Sequence, residues 1–180
     1  MRFFSPLLLL TLACSSYEPY VIESTETREA CAEQHPLRQL YWGDLHVHTA
    51  LSFDAFSSQL RAQPSDAYNF ARGEAIELPP YNAQGQATRS LKLDRPLDFA
   101  AVTDHAEYFG EVLSCLDPAS EAYSTGACTA LRSEGGATFN FGVQLSNPTP
   151  QRFAWCRDPH GTCAAKARTA WRQVQDAAES

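Results

Sequence analysis

Two histidines and two carboxylates lie within eleven residues in the first third of the chain, at residues 44–54. In an extended strand alternate side chains share a face, so Asp44, His46 and His48 are expected to point the same way. Imidazole and carboxylate together suit zinc, manganese or iron, and the absence of cysteine from the set favours a catalytic site over a closed structural one. The stretch therefore predicts a face that binds divalent metal.

A second fragment, Thr-Asp-His at residues 103–105, ends an apolar run and can share one site with the first. The structural alternative is a solvated histidine and a hydrogen-bonded one, with Asp104 as a turn former at a strand end. The combination favours the metal, because carboxylates on a buried strand face are costly without a cation or an arginine partner. We expect Asp44 and Asp104 to orient the histidines through hydrogen bonds.

The chain resembles the first two motifs of the PHP (polymerase and histidinol phosphatase) superfamily of metal-dependent phosphoesterases at residues 42–54 and 99–105. The flanking residues 41–43, 65–68, 71–74 and 106–108 are similar to a PHP-like group known as domain of unknown function 3604. This resemblance covers residues 40–111 well and the rest weakly. It implies that one to three divalent ions are held by His46, His48, Asp54 and His105.

The resemblance also implies a seven-stranded (β/α) barrel, so the expected fold class is α/β. Later strands of such a barrel supply a glutamate, further histidines and a closing Asp-x-His, and no counterpart follows Glu111. His160 is expected to be an exposed loop histidine rather than a ligand. Residues 39–180 are therefore expected to form the N-terminal portion of a longer, PHP-like barrel domain, inactive and at best marginally folded when made alone.

The hydrophobic pattern predicts strands over residues 39–48 and 97–103, the second buried on both faces. A helix is expected from a Ser65 cap to about Arg72, and residues 73–95 form a hairpin or a lid. A last amphipathic helix spans residues 164–179, and its apolar face comprises Ala167, Ala170, Trp171, Val174 and Ala178. Both histidine clusters then follow C-terminal strand ends, where (β/α) barrels build active sites.

The first fourteen residues predict an export signal, because a short apolar run follows Met1-Arg2 and ends at Ala13-Cys14. The run is too short to span a bilayer. We expect a bacterial lipoprotein lipidated at Cys14, in the periplasm or on the outer membrane, with the lipid as its only membrane contact. Plain secretion and a merely apolar N-terminus are the alternatives. Residues 15–38, which are polar, are expected to be a tether.

Export makes disulfides the expected state of the other five cysteines. Local bridges are predicted from Cys115 to Cys128 and from Cys156 to Cys163, each stabilising the fold by about 2 to 3 kcal/mol. Cys31 is left without a predicted partner. A zinc cluster is the rival interpretation, although no close Cys-x-x-Cys pair occurs.

The composition, 44% hydrophobic and 19% charged with a formal net charge of −7, is that of one globular domain. The chain has no run rich in lysine or arginine, which disfavours nucleic acid as a partner. A small-molecule substrate, including a phosphorylated one, is compatible with the metal. The expected function is therefore metal-dependent hydrolysis, of a phosphoester above all. The alternative is a non-catalytic metal-binding surface lipoprotein.

Overall fold

The computed structural model of the protein describes residue 37, residues 39–136 and residues 138–180. The predicted export signal, the predicted lipidation site Cys14, Cys31 and nearly all of the predicted tether lie outside the described residues. Residues 40–180 form one compact unit.

The described unit is a mixed α/β structure with two small sheets. In chain order its strands and helices are β1 Gly43–Val47, α1 Phe53–Ser57, α2 Pro64–Ala71, β2 Ile76–Tyr81, β3 Ala87–Leu91, β4 Phe99–Val102, α3 Phe109–Leu116, α4 Gly126–Arg132, α5 Val143–Leu145 and α6 Thr162–Glu179. Single 3₁₀ turns occupy Ala106–Tyr108 and Ala154–Cys156, and a π-helical turn occupies Thr138–Gly142.

Strands β1 and β4 pair in parallel, as expected for strands joined by a long connection. Asp44 lies opposite Ala100, and Val47 lies opposite Val102, so β1 carries one more residue than β4 between these pairs. An extra residue of this kind is a β-bulge, which interrupts the alternation of side chains. Asp44 and Val47 therefore share one face of the sheet.

This bulge breaks the regular alternation of side chains from which one shared strand face was predicted for Asp44, His46 and His48. That prediction assumed an unbroken strand, whereas the register shifts between Asp44 and Val47. The rings of His46 and His48 still lie close together, with centroids 4.9 Å apart. Asp44 and His48 also line one cavity.

The prediction that β4 is buried on both faces is also wrong. Phe99 at its start is 44% exposed, and the rest of the strand is half-buried. In the described part of the chain the sheet has two strands, β1 and β4, so β4 has a strand partner on one side. Helix α2 contacts β4, and the Val102 N–H donates to the Tyr68 hydroxyl at 3.2 Å.

Residues 73–95 contain an antiparallel hairpin of β2 and β3, one of the two forms predicted for this connection. The Asn82 side-chain oxygen accepts hydrogen bonds from the backbone N–H groups of Gln84 and Gln86 at the turn. Gly85 has a φ of 76°, which glycine adopts without steric cost. Local turn chemistry thus determines the hairpin.

Helix α2 begins at Pro64 rather than after a Ser65 cap. The Asp66 carboxylate accepts the Gln63 N–H at 2.8 Å, so Asp66 supports the helix start from inside the first turn. Proline suits the first helical position because its φ is already helical and its missing N–H is not needed there. The predicted end near Arg72 is confirmed, since Arg72 is the C-terminal cap residue.

Helix α6 confirms the predicted last helix but corrects its apolar face. Trp171 is 53% exposed and Ala178 is exposed. The buried and packed residues recur instead at steps of four and three: Cys163, Ala167, Ala170, Val174 and Ala177. This stripe lies against α3, where a Cβ at Gly110 would collide with the backbone oxygen of Cys163.

Both predicted disulfides are present in the structure. Cys115 and Cys128 join α3 to α4 with Cα atoms 4.7 Å apart. Cys156 and Cys163 join the 3₁₀ turn before α6 to its first turn, with Cα atoms 5.2 Å apart. Disulfides persist in oxidising compartments, so the pair indicates an extracellular or periplasmic environment. Among the described residues, no helix combines the length and the apolar character needed to cross a bilayer.

Candidate metal centre

The two histidine fragments meet at the C-terminal ends of β1 and β4. His48 directly follows β1, and His105 comes three residues after the last residue of β4. The Thr103 N–H donates to the Val47 oxygen at 2.8 Å and extends the parallel pairing beyond β4. The strand pairing therefore brings His48 and His105, more than fifty residues apart in sequence, to one end of the sheet.

Side chains then join the two segments. The Asp104 carboxylate accepts hydrogen bonds from the Thr49 N–H and from its hydroxyl, the latter at 2.7 Å. The His105 N–H donates to the Ser52 hydroxyl oxygen at 3.0 Å. Thr49 and Ser52 are fully buried. Burial raises the pKa of Asp104, although the two hydrogen bonds from Thr49 act in the opposite direction.

These bonds bring three potential ligands together. One ligand atom each from His48, Asp54 and His105 lies within 4.8 Å of the other two. The Asp54 Oδ2 atom is 2.9 Å from His48 Nδ1 and 3.6 Å from His105 Nε2. Three of the four residues that the resemblance assigns to metal binding thus form one cluster.

Asp54 is held as an anion at this position, in the first turn of α1. Burial opposes ionisation, but hydrogen bonds from the Ser52 hydroxyl, the Ala55 N–H and the His48 ring outweigh it and lower the pKa of Asp54. The Ala55 N–H donates to Oδ1 at 2.7 Å. This leaves Oδ2 facing both histidines.

The other predicted site residues are not part of this three-residue cluster. They are His46, Asp44 and Asp104. The His46 side chain is exposed, and its ring lies beside the His48 ring, with centroids 4.9 Å apart. The Asp44 carboxylate accepts the His46 backbone N–H at 2.8 Å. Asp104 bonds to Thr49, so both carboxylates contact the backbone of the segment that carries the histidines.

Sequence reasoning missed Glu107. Its carboxylate lies 2.7 Å from the Nδ1 atom of His105, two residues earlier in the chain. The 3₁₀ turn Ala106–Tyr108 brings the glutamate back towards the ring. The available signal was the spacing His-x-Glu directly after the apolar strand.

The residues present fit a divalent metal ion. The donors are nitrogen and oxygen without sulfur, a set that suits zinc, manganese or iron. Ligand atoms of a tetrahedral site with bonds of about 2.1 Å lie about 3.4 Å apart, which is within the span of the cluster. The side chains of His48, Asp54 and His105 are 18%, 40% and 31% exposed, so water or a substrate can reach the same point.

An aromatic cluster packs against the His105 ring of the candidate metal centre. The Phe53 ring lies 4.7 Å from the His105 ring, centroid to centroid, and 5.4 Å from Phe141, on which it stacks. Tyr108 packs edge-on against both phenylalanines. One face of the His105 ring is thereby fixed against the hydrophobic core.

A second group of potential ligands is Glu111, Cys156 and Cys163, all of them buried. The two cysteines form a disulfide, and Arg152 binds the Glu111 carboxylate through two nitrogens at 2.8 and 2.7 Å. The ligand atoms of this group are therefore already engaged in a disulfide and in an ion pair. His160 is exposed in a turn, as predicted, and its N–H donates to the Asp158 carboxylate.

The chain matches one protein-family model, described as Protein of unknown function (DUF3604), over residues 35–180. A comparison with curated proteins and one with solved structures found no match. The match covers most of the chain and all of the clustered residues. The protein therefore belongs to the DUF3604 family.

Proposed function

We propose that the protein is a metal-dependent hydrolase of phosphoesters, with His48, Asp54 and His105 binding a divalent ion. The single observation that carries the proposal is the convergence of these three side chains within 4.8 Å, from segments that follow two parallel strands. The resemblance of residues 42–54 and 99–105 to PHP phosphoesterase motifs supports the reaction class. His46, beside His48, is the candidate for a further ligand, and the site holds one to three ions.

The reaction is the addition of water to phosphorus with cleavage of the ester P–O bond, which yields an alcohol and a phosphate. A bound divalent ion would lower the pKa of a water that it coordinates and would stabilise negative charge on the phosphoryl oxygens. The chain contributes an anionic Asp54 between two imidazoles, and this arrangement needs little covalent chemistry from the protein. A small phosphorylated molecule is the proposed substrate.

The proposal includes a PHP-like (β/α)7 barrel as the architecture of the complete domain. Two features support it: β1 and β4 are parallel, and the ligands follow their C-terminal ends, where barrel enzymes place their sites. We also propose a lipid anchor at Cys14, supported by the apolar leader that ends at Ala13-Cys14. Mass spectrometry of exported protein tests the anchor, since an intact Met1 would contradict it.

The function is tested by metal analysis and turnover on the same preparation. Full-length exported protein, with the complete proposed barrel, is expected to retain Mn²⁺ or Zn²⁺ after desalting and to hydrolyse a generic aryl phosphate. His48→Ala is expected to abolish both properties, whereas His160→Ala, a matched change at an exposed loop, leaves them intact. Retained metal without turnover would favour the non-catalytic metal-binding alternative. Unchanged metal content in His48→Ala would refute the site.

A further inference from the structure

We infer that Glu107 is a positioning residue that fixes the tautomer and the orientation of His105, so that its Nε2 atom is the metal-binding nitrogen. This inference rests on the proposed metal site but concerns a residue outside the predicted ligand set. It begins from one contact, the 2.7 Å distance between the Glu107 Oε1 atom and His105 Nδ1.

The hydrogen-bonding capacity of the two groups determines where the proton lies. An ionised carboxylate can only accept, so the nitrogen that faces it at 2.7 Å carries the proton. A neutral imidazole has one N–H, which leaves the Nε2 lone pair of His105 free. The contact thus selects the tautomer in which Nε2 is the ligand atom.

The other side of the ring confirms that Nε2 is directed at the cluster. Nε2 lies 3.6 Å from the Asp54 Oδ2 atom, which is longer than a hydrogen bond. With the proton on Nδ1, the Nε2 lone pair faces the Asp54 carboxylate oxygen across this gap. Two such groups repel unless a cation lies between them, and that is the position a shared metal ion takes.

Glu107 differs from a residue with a purely structural role. Its side chain is 44% exposed, so it contributes little to the core, and it lies in a single 3₁₀ turn. The position of His105 has other supports, because Phe53 packs on the ring and Ser52 accepts the backbone N–H. Glu107 adds the one feature that these contacts leave open, which is the choice between the two ring nitrogens.

Carboxylates that bind the second nitrogen of a metal-ligating histidine commonly raise metal affinity by about 10- to 100-fold. Glu107→Ala is therefore expected to weaken Zn²⁺ binding by about that factor. Glu107→Gln is expected to restore most of the loss, because the amide oxygen can still accept the Nδ1 proton. Glu121→Ala, a matched change at an exposed glutamate outside the cluster, is expected to leave affinity unchanged.

The discriminating measurement is ¹⁵N NMR of the histidine rings in metal-free protein at a pH where His105 is neutral. We expect His105 to carry its proton on Nδ1 in the wild type and in Glu107→Gln, and to shift towards the Nε2–H form in Glu107→Ala. This readout needs neither metal nor activity, so it separates the inference from the proposed function. An Nε2–H tautomer in the wild type, or a Glu107→Ala protein with wild-type tautomer and affinity, would overturn the inference.

Discussion

The loops that follow β1 and β4 and the bundle of α3, α4 and α6 hold their residues in opposite ways. In the loops the clustered side chains are half-exposed and polar, and hydrogen bonds between distant segments position them. In the bundle the core side chains are buried, and one disulfide joins α3 to α4. A second disulfide joins α6 to the 3₁₀ turn before it, and Arg152 binds the buried Glu111 of α3. Stability and ligand chemistry therefore depend on separate regions. Changes in the loops should leave stability largely intact, and changes in the bundle should leave metal binding largely intact.

The largest expected effect belongs to the loops. His105→Ala removes one of three clustered ligands, and we expect the dissociation constant for Zn²⁺ to rise more than about 100-fold. The midpoint of thermal unfolding without metal should stay within about 2 °C of wild type, since the ring is 31% exposed. Isothermal titration and calorimetry measure the two quantities. A marked loss of stability without metal would break the separation between the regions.

Phe53 tests the border between the regions, because its ring contacts His105 on one side and Phe141 on the other. Phe53→Ala is expected to lower the free energy of unfolding by about 3 kcal/mol through the cavity it leaves. Metal affinity should fall as well, since His105 loses the ring that fixes one of its faces. Urea unfolding with Phe99→Ala, at a 44% exposed site, is the control and should show a much smaller loss. An effect on one property alone would place Phe53 in a single region.

The ion pair between the buried Glu111 and the half-exposed side chain of Arg152 tests how the bundle is stabilised. Arg152→Ala leaves the fully buried Glu111 carboxylate without its partner, and we expect a loss of about 2 to 3 kcal/mol in the free energy of unfolding. This value lies below the range for fully buried pairs because Arg152 is 47% exposed. Adding Glu111→Gln should recover part of the loss by removing the charge. Metal affinity should not change, and Arg168→Ala is the exposed control.

The smallest expected effect concerns the attachment of α6 to the end of α3. Lys166 Nζ lies 2.7 Å from the Asp117 carboxylate, and this hydrogen bond holds the pKa of Asp117 below its usual value of 3.8. A lowered pKa in the folded state stabilises the protein above pH 3.8, and this contribution disappears as the pH falls through the lowered pKa. Lys166→Met should therefore lower the unfolding midpoint by about 1 °C at pH 7, and this effect should shrink as the pH falls below 3.8, compared with Lys92→Met.

Much of the candidate site and both disulfides could be predicted from the sequence, because strong local patterns determine them. Apolar runs that end in histidine fragments placed His48 and His105 at strand ends, and short cysteine spacings predicted both disulfides. The parts that could not be predicted depend on contacts between elements. The β1 bulge interrupts the alternation of side chains between Asp44 and Val47, and Glu107 reaches His105 only through a 3₁₀ turn. The predicted apolar face of α6 was partly wrong, because Trp171 and Ala178 are exposed whereas Cys163 and Ala177 are buried. The close approach of α6 to α3 occurs at Cys163, beside Gly110.

The bonds from Thr49 to Asp104 and from His105 to Ser52 join residues 55 and 53 positions apart. A site assembled from such distant segments exists only after the chain between them has folded, so the newly made polypeptide presents no metal centre. Under the proposed function, metal would be acquired in the compartment where folding is completed. Intrinsic affinities rank the divalent ions in much the same order at any nitrogen and oxygen site. The supply of ions in that compartment, together with site geometry and ligand type, would therefore decide which metal the proposed site binds.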